Sequence, residues 1–278
     1  MQNQTISIII PAKNEEKYIG KCLKAINTQS QTSPLEIIVI DSGSTDKTAE
    51  IARSFEKVRV ISIRSNEFRH GLTRNLGASE TKGDILVFLN ADALPADTQW
   101  LFNLTVDFKS NLNLVATYSK HLPKSDCSLY MQNDLMKPMS FSTVSCAIRK
   151  NVWERMPFSD EIEFAEDLEW GLRAMHQDLD ISFKPTSLVI HSHNYSPSQL
   201  FNIKYQLGKA YKSSIHSHRN PIQLSILAFA ATTFKICDDM FFISRYKTTM
   251  DMKLRQILLA ICARISGNFG KLLGEIYG

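Results

Sequence analysis

Short, continuously apolar segments recur through the first third of the chain, and polar stretches with apolar positions at helical spacing separate them. These segments lie at 6–10, 35–40, 58–63 and 85–89. Strands that are apolar on both faces indicate a parallel sheet that helices cover on both sides. We therefore predict an α/β fold, and Asn14 is the candidate cap of its first helix.

The alternation becomes less regular after about residue 96. We predict, in order, a helix near 97–109, a strand near 112–118, a loop at 121–124, a strand around 140–148, a charged helix near 165–177 and a last strand at 187–190. From about 197 onward the pattern is only helical. The predicted domains are an α/β domain over 1–195 and a helical region over 196–278.

The composition is typical of a folded protein, with 44% hydrophobic and 22% charged residues. Its five cysteines are scattered and form no C-x-x-C pair, which favours a reducing cytoplasm over a disulfide framework. The apolar run at the start is short and lacks a basic flank, so we interpret it as a strand. Net charge is +4, but the residues from 201 onward carry eleven Lys or Arg against four Asp or Glu.

Two acids follow directly after predicted parallel strands. Asp41 ends the segment VID and begins the small, polar turn DSGST, and Asp92 follows the segment VFLNA. Open α/β sheets bind ligands at the carboxyl ends of their strands. An acid placed there is penalised by burial unless a partner stabilises its charge, which makes both residues candidate ligand-binding groups.

Three further segments carry groups of polar side chains: EFRHGLTRNLGA (67–78), FAEDLEW (164–170) and LVIHSHNYS (188–196). Arginine forks suit phosphate oxygens, and a carboxylate at a cleft is a credible general base. Each segment alone has a plain structural explanation: a solvated helix face, acids favoured by a helix dipole, or a structural histidine. The order of the segments along the chain is more informative about function than any one segment alone.

The residues, taken in order, resemble the inverting glycosyltransferases of family 2, which have the GT-A fold. The supporting segments are IIIPAKNEE, VIDSGSTDKT, FRHGLTRNLGA, VFLNADALP, AEDLEW and VIHSHNYS, which span about 1–196. More narrowly, HG-TRN and HSHNYS resemble bacterial rhamnosyltransferases of surface polysaccharide synthesis. The resemblance implies a Rossmann-like, mostly parallel sheet flanked by helices, followed by a C-terminal helical extension.

The resemblance also implies which residues bind the nucleotide-diphosphate sugar. Asp41 would accept a hydrogen bond from the base, and Arg74, together with His70, would lie near the diphosphate or the base. The whole implied set comprises Pro11, Ala12, Glu15, Asp41, Ser42, Gly43, His70, Arg74, Asn90 and Ala91.

The implied catalytic base is Asp167, with Glu166 as the second choice, and the implied metal-binding residues are Asp92, His191 and His193. Asp92 holds the last position of an Asp-X-Asp-like motif whose first acid is replaced here by Asn90. A bound Mg²⁺ or Mn²⁺ would neutralise the leaving nucleoside diphosphate. Asp167 would deprotonate an acceptor hydroxyl, and a single displacement would invert the anomeric centre.

The resemblance implies L-rhamnose from dTDP-rhamnose as the donor and a polyprenyl-diphosphate-linked saccharide as the acceptor. The basic helical region is an expected contact with an anionic membrane surface or the surface of a homodimer. We expect a cytoplasmic protein, peripheral on the inner face of the cytoplasmic membrane, with no nucleic-acid partner.

Other functions remain open at the level of sequence. The donor could be a UDP-hexose or UDP-N-acetylhexosamine, and the chain could be a non-catalytic nucleotide-sugar-binding subunit. A nucleotidyltransferase is disfavoured because it would need a glycine-rich basic loop after the first strand, where the sequence has the acidic PAKNEE. Substitution of Asp167 would separate an enzyme from a binding subunit.

Overall fold

A computed structural model describes residues 4–30, 34, 36–137, 139–215 and 220–277. The chain divides into two compact units. The first comprises residues 1–122 and 139–191, and the second comprises 123–138 and 192–278. The division of the chain into an α/β domain over 1–195 and a helical region over 196–278 remains a prediction.

The first unit is built on one eight-stranded sheet. Its spatial order is β3-β2-β1-β4-β7-β6-β8-β5, and β1 to β4 are mutually parallel. β7 runs antiparallel between β4 and β6, and β6 pairs in parallel with β8. The strands are β1 (Ile6–Ala12), β2 (Glu36–Asp41), β3 (Val58–Ser62), β4 (Ile85–Leu89), β5 (Leu94–Pro95), β6 (Leu114–Leu122), β7 (Ser145–Arg149) and β8 (Asp180–Ile190).

Helices connect these strands and form the second unit. In chain order they are α1 (Ile19–Asn27), α2 (Thr48–Arg53), α3 (His70–Ser79), α4 (Trp100–Thr105), α5 (Leu129–Leu135), α6 (Lys150–Arg155), α7 (Glu166–His176), α8 (Pro197–Ile215), α9 (Pro221–Arg245) and α10 (Met250–Tyr277). Single 3₁₀ turns lie at Ser65–Glu67 and Val106–Lys109.

The apolar strands bury side chains on both faces of the sheet. On β1, Ile8 and Ile10 belong to one core cluster and Ile9 to another, because successive side chains point to opposite faces. Gly77 brings α3 close to this strand, and a Cβ there would overlap the side chain of Ile9. The sheet is therefore covered on both sides, as the continuous apolar segments predict.

The second unit is helical, with a small core of its own. That core includes Leu129, Leu200 and Ile243. Between α8 and α10 the backbones approach so closely that a Cβ at Gly270 or Gly274 would overlap backbone carbonyl oxygens of α8. The glycines therefore allow the two helix backbones to pack closely, and the rings of Phe201 and Phe269 add a contact with centroids 6.1 Å apart.

A buried charge cluster holds the other helices of the second unit. Arg264 of α10 is 8% exposed and donates to Asp239 of α9 at 2.7 Å and to Asp134 of α5 at 2.6 and 2.9 Å. Lys137 and Asn133 both bind Asp238. Because each of these acids has a cation, the cluster satisfies its own charges.

The predicted α/β class, its mostly parallel sheet and the C-terminal helices are confirmed. Several local predictions are wrong. Asn14 does not cap α1, which begins at Ile19. His121 lies on β6 rather than in a loop, β8 begins at Asp180 rather than near 187, and α5 was not predicted.

Pro95 lies where the sheet can tolerate it. It belongs to β5, a two-residue strand at the edge of the sheet that pairs with β8. Proline lacks the N–H that a central strand needs on both sides, so it is confined to edges. The chain consequently leaves the centre of the sheet directly after β4, and Asn90, Ala91 and Asp92 form the turn.

Candidate active site

The ends of β1 and β2 form one tight, shared turn. Asp41 is the last residue of β2 and is aligned with Ala12 of β1, and the N–H of Ser42 donates to the Ala12 carbonyl at 2.9 Å. Gly43 has φ +72°, and a Cβ there would lie 3.1 Å from the backbone nitrogen of Ser65. Glycine is therefore required for the left-handed turn that leaves Asp41 and Ser42 at the strand end.

The segment PAKNEE is locked onto this turn. The carboxamide oxygen of Asn14 accepts a hydrogen bond from the N–H of Thr45 at 2.9 Å, and the Asn14 N–H donates to Ser44 Oγ at 2.9 Å. The Glu15 N–H donates to Thr48 Oγ1 at 2.7 Å. Asn14 adopts φ 55°, which asparagine tolerates better than most residues. The role of Asn14 is thus to fix the relative position of two loops.

The turn after β4 carries Asp92, close to the carboxyl end of that strand. The Asn90 N–H donates to the Val144 carbonyl at 2.9 Å, and Ala91 and Asp92 are buried, at 3% and 8% exposure. One carboxylate oxygen of Asp92 lies 3.5 Å from Nε2 of His191. His191 follows the end of β8, and its N–H donates to the Leu122 carbonyl. Two elements of the first unit therefore converge on Asp92.

Arg74 links this turn to the start of α7. Its side chain is 4% exposed. One guanidinium nitrogen donates to the carboxamide oxygen of Asn90 at 2.7 Å, and the other lies 2.9 Å from Glu166 and 3.1 Å from the His70 carbonyl. The segments that contain Asp92 and Asp167 are thus joined by a single buried side chain.

The two acids at the start of α7 have different surroundings. Glu166 is 4% exposed and contacts Arg74 and the hydroxyl of Thr143. Asp167 is half-buried and accepts hydrogen bonds from the N–H groups of Thr143 at 3.3 Å and Leu168 at 2.8 Å. Glu166 is therefore engaged in the ion pair, while Asp167 is held by backbone N–H donors.

Burial and the charge of Glu166 raise the pKa of Asp167 to about 6, although Arg74 acts in the opposite direction. A carboxylate with a raised pKa at the edge of a cleft is typical of general bases. Ala165, immediately before the pair, has φ 64° and ψ 40°. This left-handed conformation costs a non-glycine residue about 1–2 kcal/mol, so the start of α7 is strained.

His70 lies in an aromatic setting beside this network. Its ring contacts Phe68 and Phe164 edge-on, with centroid distances of 4.9 and 6.0 Å. Burial lowers the pKa of His70 below its usual range, and the nearby Arg74 lowers it further, against the opposing effect of Glu166. His70 is therefore neutral at pH 7 and can act as a hydrogen-bond donor or acceptor.

Three buried polar atoms of the first unit have no hydrogen-bond partner among the described residues: Ser42 Oγ, Arg74 Nε and His121 Nε2. Buried polar groups are normally paired, so each of these atoms is a candidate for a hydrogen bond to a ligand or an ordered water. Sequence reasoning missed His121. Its ring packs against that of His191 with centroids 5.5 Å apart, and burial lowers its pKa to about 3. A lone histidine on a strand gave no signal.

The candidate metal ligands near Asp92 fit a divalent cation. The Asp92 carboxylate and the His191 imidazole lie 3.5 Å apart, close enough to bind a common ion. His193, the third predicted ligand, follows two residues further along the chain and belongs to the second unit. Neighbouring residues two apart stay within about 7 Å at their Cα atoms, whatever the backbone conformation. The mixture of carboxylate oxygen and imidazole nitrogen suits a transition metal such as Mn²⁺.

Loss of the Arg74 guanidinium is predicted to destabilise the first unit. Arg74→Gln leaves the Glu166 carboxylate buried without its cation, so we expect the free energy of unfolding to fall by about 3–5 kcal/mol. Arg59→Gln is the matched control, because Arg59 and Glu80 form a half-exposed pair worth about 0–1 kcal/mol. Urea denaturation measures both, and equal losses would contradict a structural role for the buried pair.

Comparisons with known proteins identify the family of the chain. Residues 7–169 match the model of glycosyl transferase family 2. The O-antigen chain rhamnosyltransferase RfbN of Salmonella typhimurium is 29% identical over 225 residues, covering 73% of this chain and 71% of the relative. The O-antigen chain rhamnosyltransferase WbaN of Salmonella anatum is 30% identical over 203 residues, covering 65% and 64%.

Among solved structures, the mannosyltransferase PcManGT from Pyrobaculum calidifontis, in complex with GDP-Man and Mn²⁺, has a TM-score of 0.68. The similarity covers 99% of this chain and 88% of that chain at 15% sequence identity, so it concerns the fold. The match to the family model covers more than half of the chain. The chain therefore belongs to glycosyl transferase family 2, and it is a glycosyltransferase with a GT-A-like fold.

Proposed function

We propose that the protein transfers L-rhamnose from dTDP-rhamnose, with inversion, to a hydroxyl of a saccharide linked to polyprenyl diphosphate. The transfer would serve the synthesis of a bacterial surface polysaccharide. The observation that carries this proposal is the similarity to two O-antigen chain rhamnosyltransferases over 65–73% of the chain. The segments HG-TRN and HSHNYS support the same donor.

The nucleotide of the donor would bind at the ends of β1 and β2. Asp41 is 5% exposed and would accept a hydrogen bond from the base, and the Ser42 hydroxyl, which has no hydrogen-bond partner among the described residues, would bind the same ligand. Pro11, Ala12 and Glu15 would line the base and ribose from the adjoining loop. The left-handed turn at Gly43 keeps Asp41 and Ser42 at the strand end.

The diphosphate would lie near the turn after β4. Asp92, His191 and His193 are the proposed metal-binding residues, and the imidazoles favour Mn²⁺, because Mg²⁺ strongly prefers oxygen ligands. The ion, when bound, supplies positive charge that stabilises the leaving nucleoside diphosphate. Asn90 and Ala91 shape this turn. Arg74 would bind the donor through Nε, which has no partner among the described residues, because its other nitrogens contact Asn90 and Glu166.

Asp167 is the proposed general base. Its carboxylate is oriented by two backbone N–H groups, and its raised pKa suits proton transfer near neutral pH. Glu166 is the weaker candidate because the ion pair with Arg74 occupies it. Asp167 would accept the proton of the acceptor hydroxyl while that oxygen attacks the anomeric carbon, and the sugar–phosphate bond breaks on the opposite face.

The C-terminal helices suit attachment to a membrane. Within the described ranges, α10 is long and apolar enough to cross a membrane, by length and composition alone. The excess of seven positive charges after residue 200 favours a peripheral contact with anionic lipids on the cytoplasmic face. A homodimer through the same helices is the competing arrangement, and the mass in solution distinguishes the two.

A panel of nucleotides tests the donor. Binding stabilises the folded protein by mass action, so dTDP and dTDP-rhamnose with Mn²⁺ should raise the melting temperature more than UDP, UDP-glucose or GDP-mannose do. The increase should be larger with Mn²⁺ than with Mg²⁺, and Asp92→Asn should remove the metal dependence. A preference for uridine nucleotides would replace rhamnose by a hexose or N-acetylhexosamine.

Removal of the proposed base should abolish turnover without preventing donor binding. Asp167→Asn keeps the size of the side chain but cannot accept the proton, so we expect kcat to fall by about 10²–10⁴-fold. The change in melting temperature on adding dTDP should persist. Asp160→Asn, an exposed acid just before the same helix, is the control and should retain turnover. Turnover by Asp167→Asn at the normal rate would remove Asp167 from its role.

The rate should depend on pH through Asp167. Its folded-state pKa of about 6 means that the carboxylate form predominates above pH 6 and is lost below it. We therefore expect kcat/KM to rise with pH and to level off above about 6, falling roughly tenfold per pH unit on the acidic side. Glu166→Gln removes the neighbouring charge that raises this pKa, so the transition should move to lower pH. A rate that is flat from pH 5 to 7 would argue against this base.

A further inference from the structure

A groove of about 220 Å³ lies between α9 and α10 in the second unit. Its wall is apolar along Leu224, Leu227 and Leu272, and Lys235 and Lys271 lie at its border. Residues spaced three or four apart on a helix share one face, and both helices contribute such a set. A hydrogen bond from Asn268 to Thr232 at 2.8 Å holds the two helices together along the groove.

Two lysines line this groove, Lys235 of α9 and Lys271 of α10, and a third lysine lies nearby. The Cγ atom of Lys204 is 3.5 Å from the position that a Cβ on Gly267 of α10 would take. Lys204 of α8 lies close enough to Lys235 and Lys271 that their charges, added to its burial, lower its pKa below the usual range. Burial and nearby Arg264 lower the pKa of Lys235 in the same way. Neither Lys204 nor Lys235 has a hydrogen bond or ion pair in the described part of the chain. The charges of Lys204 and Lys235 are therefore opposed only by the more distant Asp134, which raises the pKa of both lysines against the effect of burial.

The acids near the lysines already have other partners. Arg264 binds two of them, Asp134 and Asp239, and Lys137 binds Asp238. Lys271 lies 3.5 Å from Glu275, which leaves that lysine partly neutralised. Clustered ammonium groups beside an apolar wall repel one another and lose hydration, so an external anion would stabilise them.

We propose that this groove binds an anionic phospholipid. The phosphate would lie between the ammonium groups of Lys204, Lys235 and Lys271, and part of one hydrocarbon chain would follow Leu224 and Leu227. This site goes beyond the proposed sugar transfer, because it involves neither the donor nucleotide nor the base. It gives the helical unit a specific lipid contact in addition to its general positive charge.

The apolar surroundings favour a lipid over a free anion. Exposed side chains continue along α9 beyond the groove, including Ile226 at 63%, Phe229 at 77% and Phe234 at 73% exposure. A phosphate or nucleic acid would gain nothing from this surface, whereas a lipid chain buries it. The groove is smaller than the roughly 300–1,000 Å³ of sites that enclose a small molecule, so the remaining part of the lipid would stay in the bilayer.

The test uses the full-length protein and a short-chain, soluble lipid. Dihexanoyl phosphatidylglycerol should bind, whereas dihexanoyl phosphatidylcholine and inorganic phosphate at equal concentration should bind at least about tenfold more weakly. Because charge-assisted hydrogen bonds are among the strongest, Lys204→Gln with Lys235→Gln should weaken phosphatidylglycerol binding by at least about tenfold. Isothermal titration calorimetry measures each affinity.

The control removes two charges elsewhere in the same unit. Lys209→Gln with Lys247→Gln changes exposed lysines and should leave the affinity within about twofold. Ala231→Trp tests the hydrocarbon part, because it fills the groove without changing charge and should also weaken binding. Equal losses in the two lysine pairs, equal binding of inorganic phosphate, or unchanged binding by Ala231→Trp would each overturn the proposal.

Failure of this proposal is distinguishable from failure of the proposed function. Lipid binding is measured without a sugar donor, and the donor-induced change in melting temperature is measured without lipid. A variant that loses phosphatidylglycerol binding but keeps the response to dTDP retains a folded first unit. Loss of both responses in Lys204→Gln with Lys235→Gln would identify general misfolding, and the binding measured for Ala231→Trp, which keeps all three lysines, would then decide the proposal.

Discussion

The ion pair between Arg74 and Glu166 is the contact on which the arrangement of the first unit's site depends. It is almost completely buried, and Arg74 also donates to Asn90. Charges taken out of water are tolerated only when their partners are well placed, so this contact fixes three segments together: α3, the turn after β4 and the start of α7. Asp92 lies two residues after Asn90, and Asp167 directly follows Glu166. The positions of both acids therefore depend on this contact.

This contact also explains the unusual turn NAD, in which asparagine takes the place of the first acid. A carboxylate at position 90 would place a second negative charge on Arg74, which Glu166 already neutralises. The neutral carboxamide of Asn90 accepts the hydrogen bond without that excess. The side chain at position 90 is therefore explained by its protein partner, and Asp92 is the acid of this turn.

The sequence allowed the sheet to be predicted because its strands are apolar on both faces and end in turn residues. The positions of Asp41 and Asp92 could also be predicted, because the carboxyl ends of parallel strands lie at the same end of the sheet. The partners of Arg74 could not be predicted, because its contacts lie 16 and 92 residues away along the chain and depend on tertiary packing. His121 was missed for the same reason: its neighbour His191 becomes visible only when β6 and β8 pair.

The left-handed backbone conformation of Ala165 affects how the first turn of α7 is oriented. A glycine there would relieve the strain, but it would also widen the range of directions in which the first turn of α7 can leave the loop. The methyl group of alanine restricts the backbone to fewer directions, although the left-handed conformation is unfavourable for alanine. The surrounding packing holds the backbone in that conformation. The direction of the two carboxylates is thus set by the fold around them rather than by the intrinsic preference of the helix.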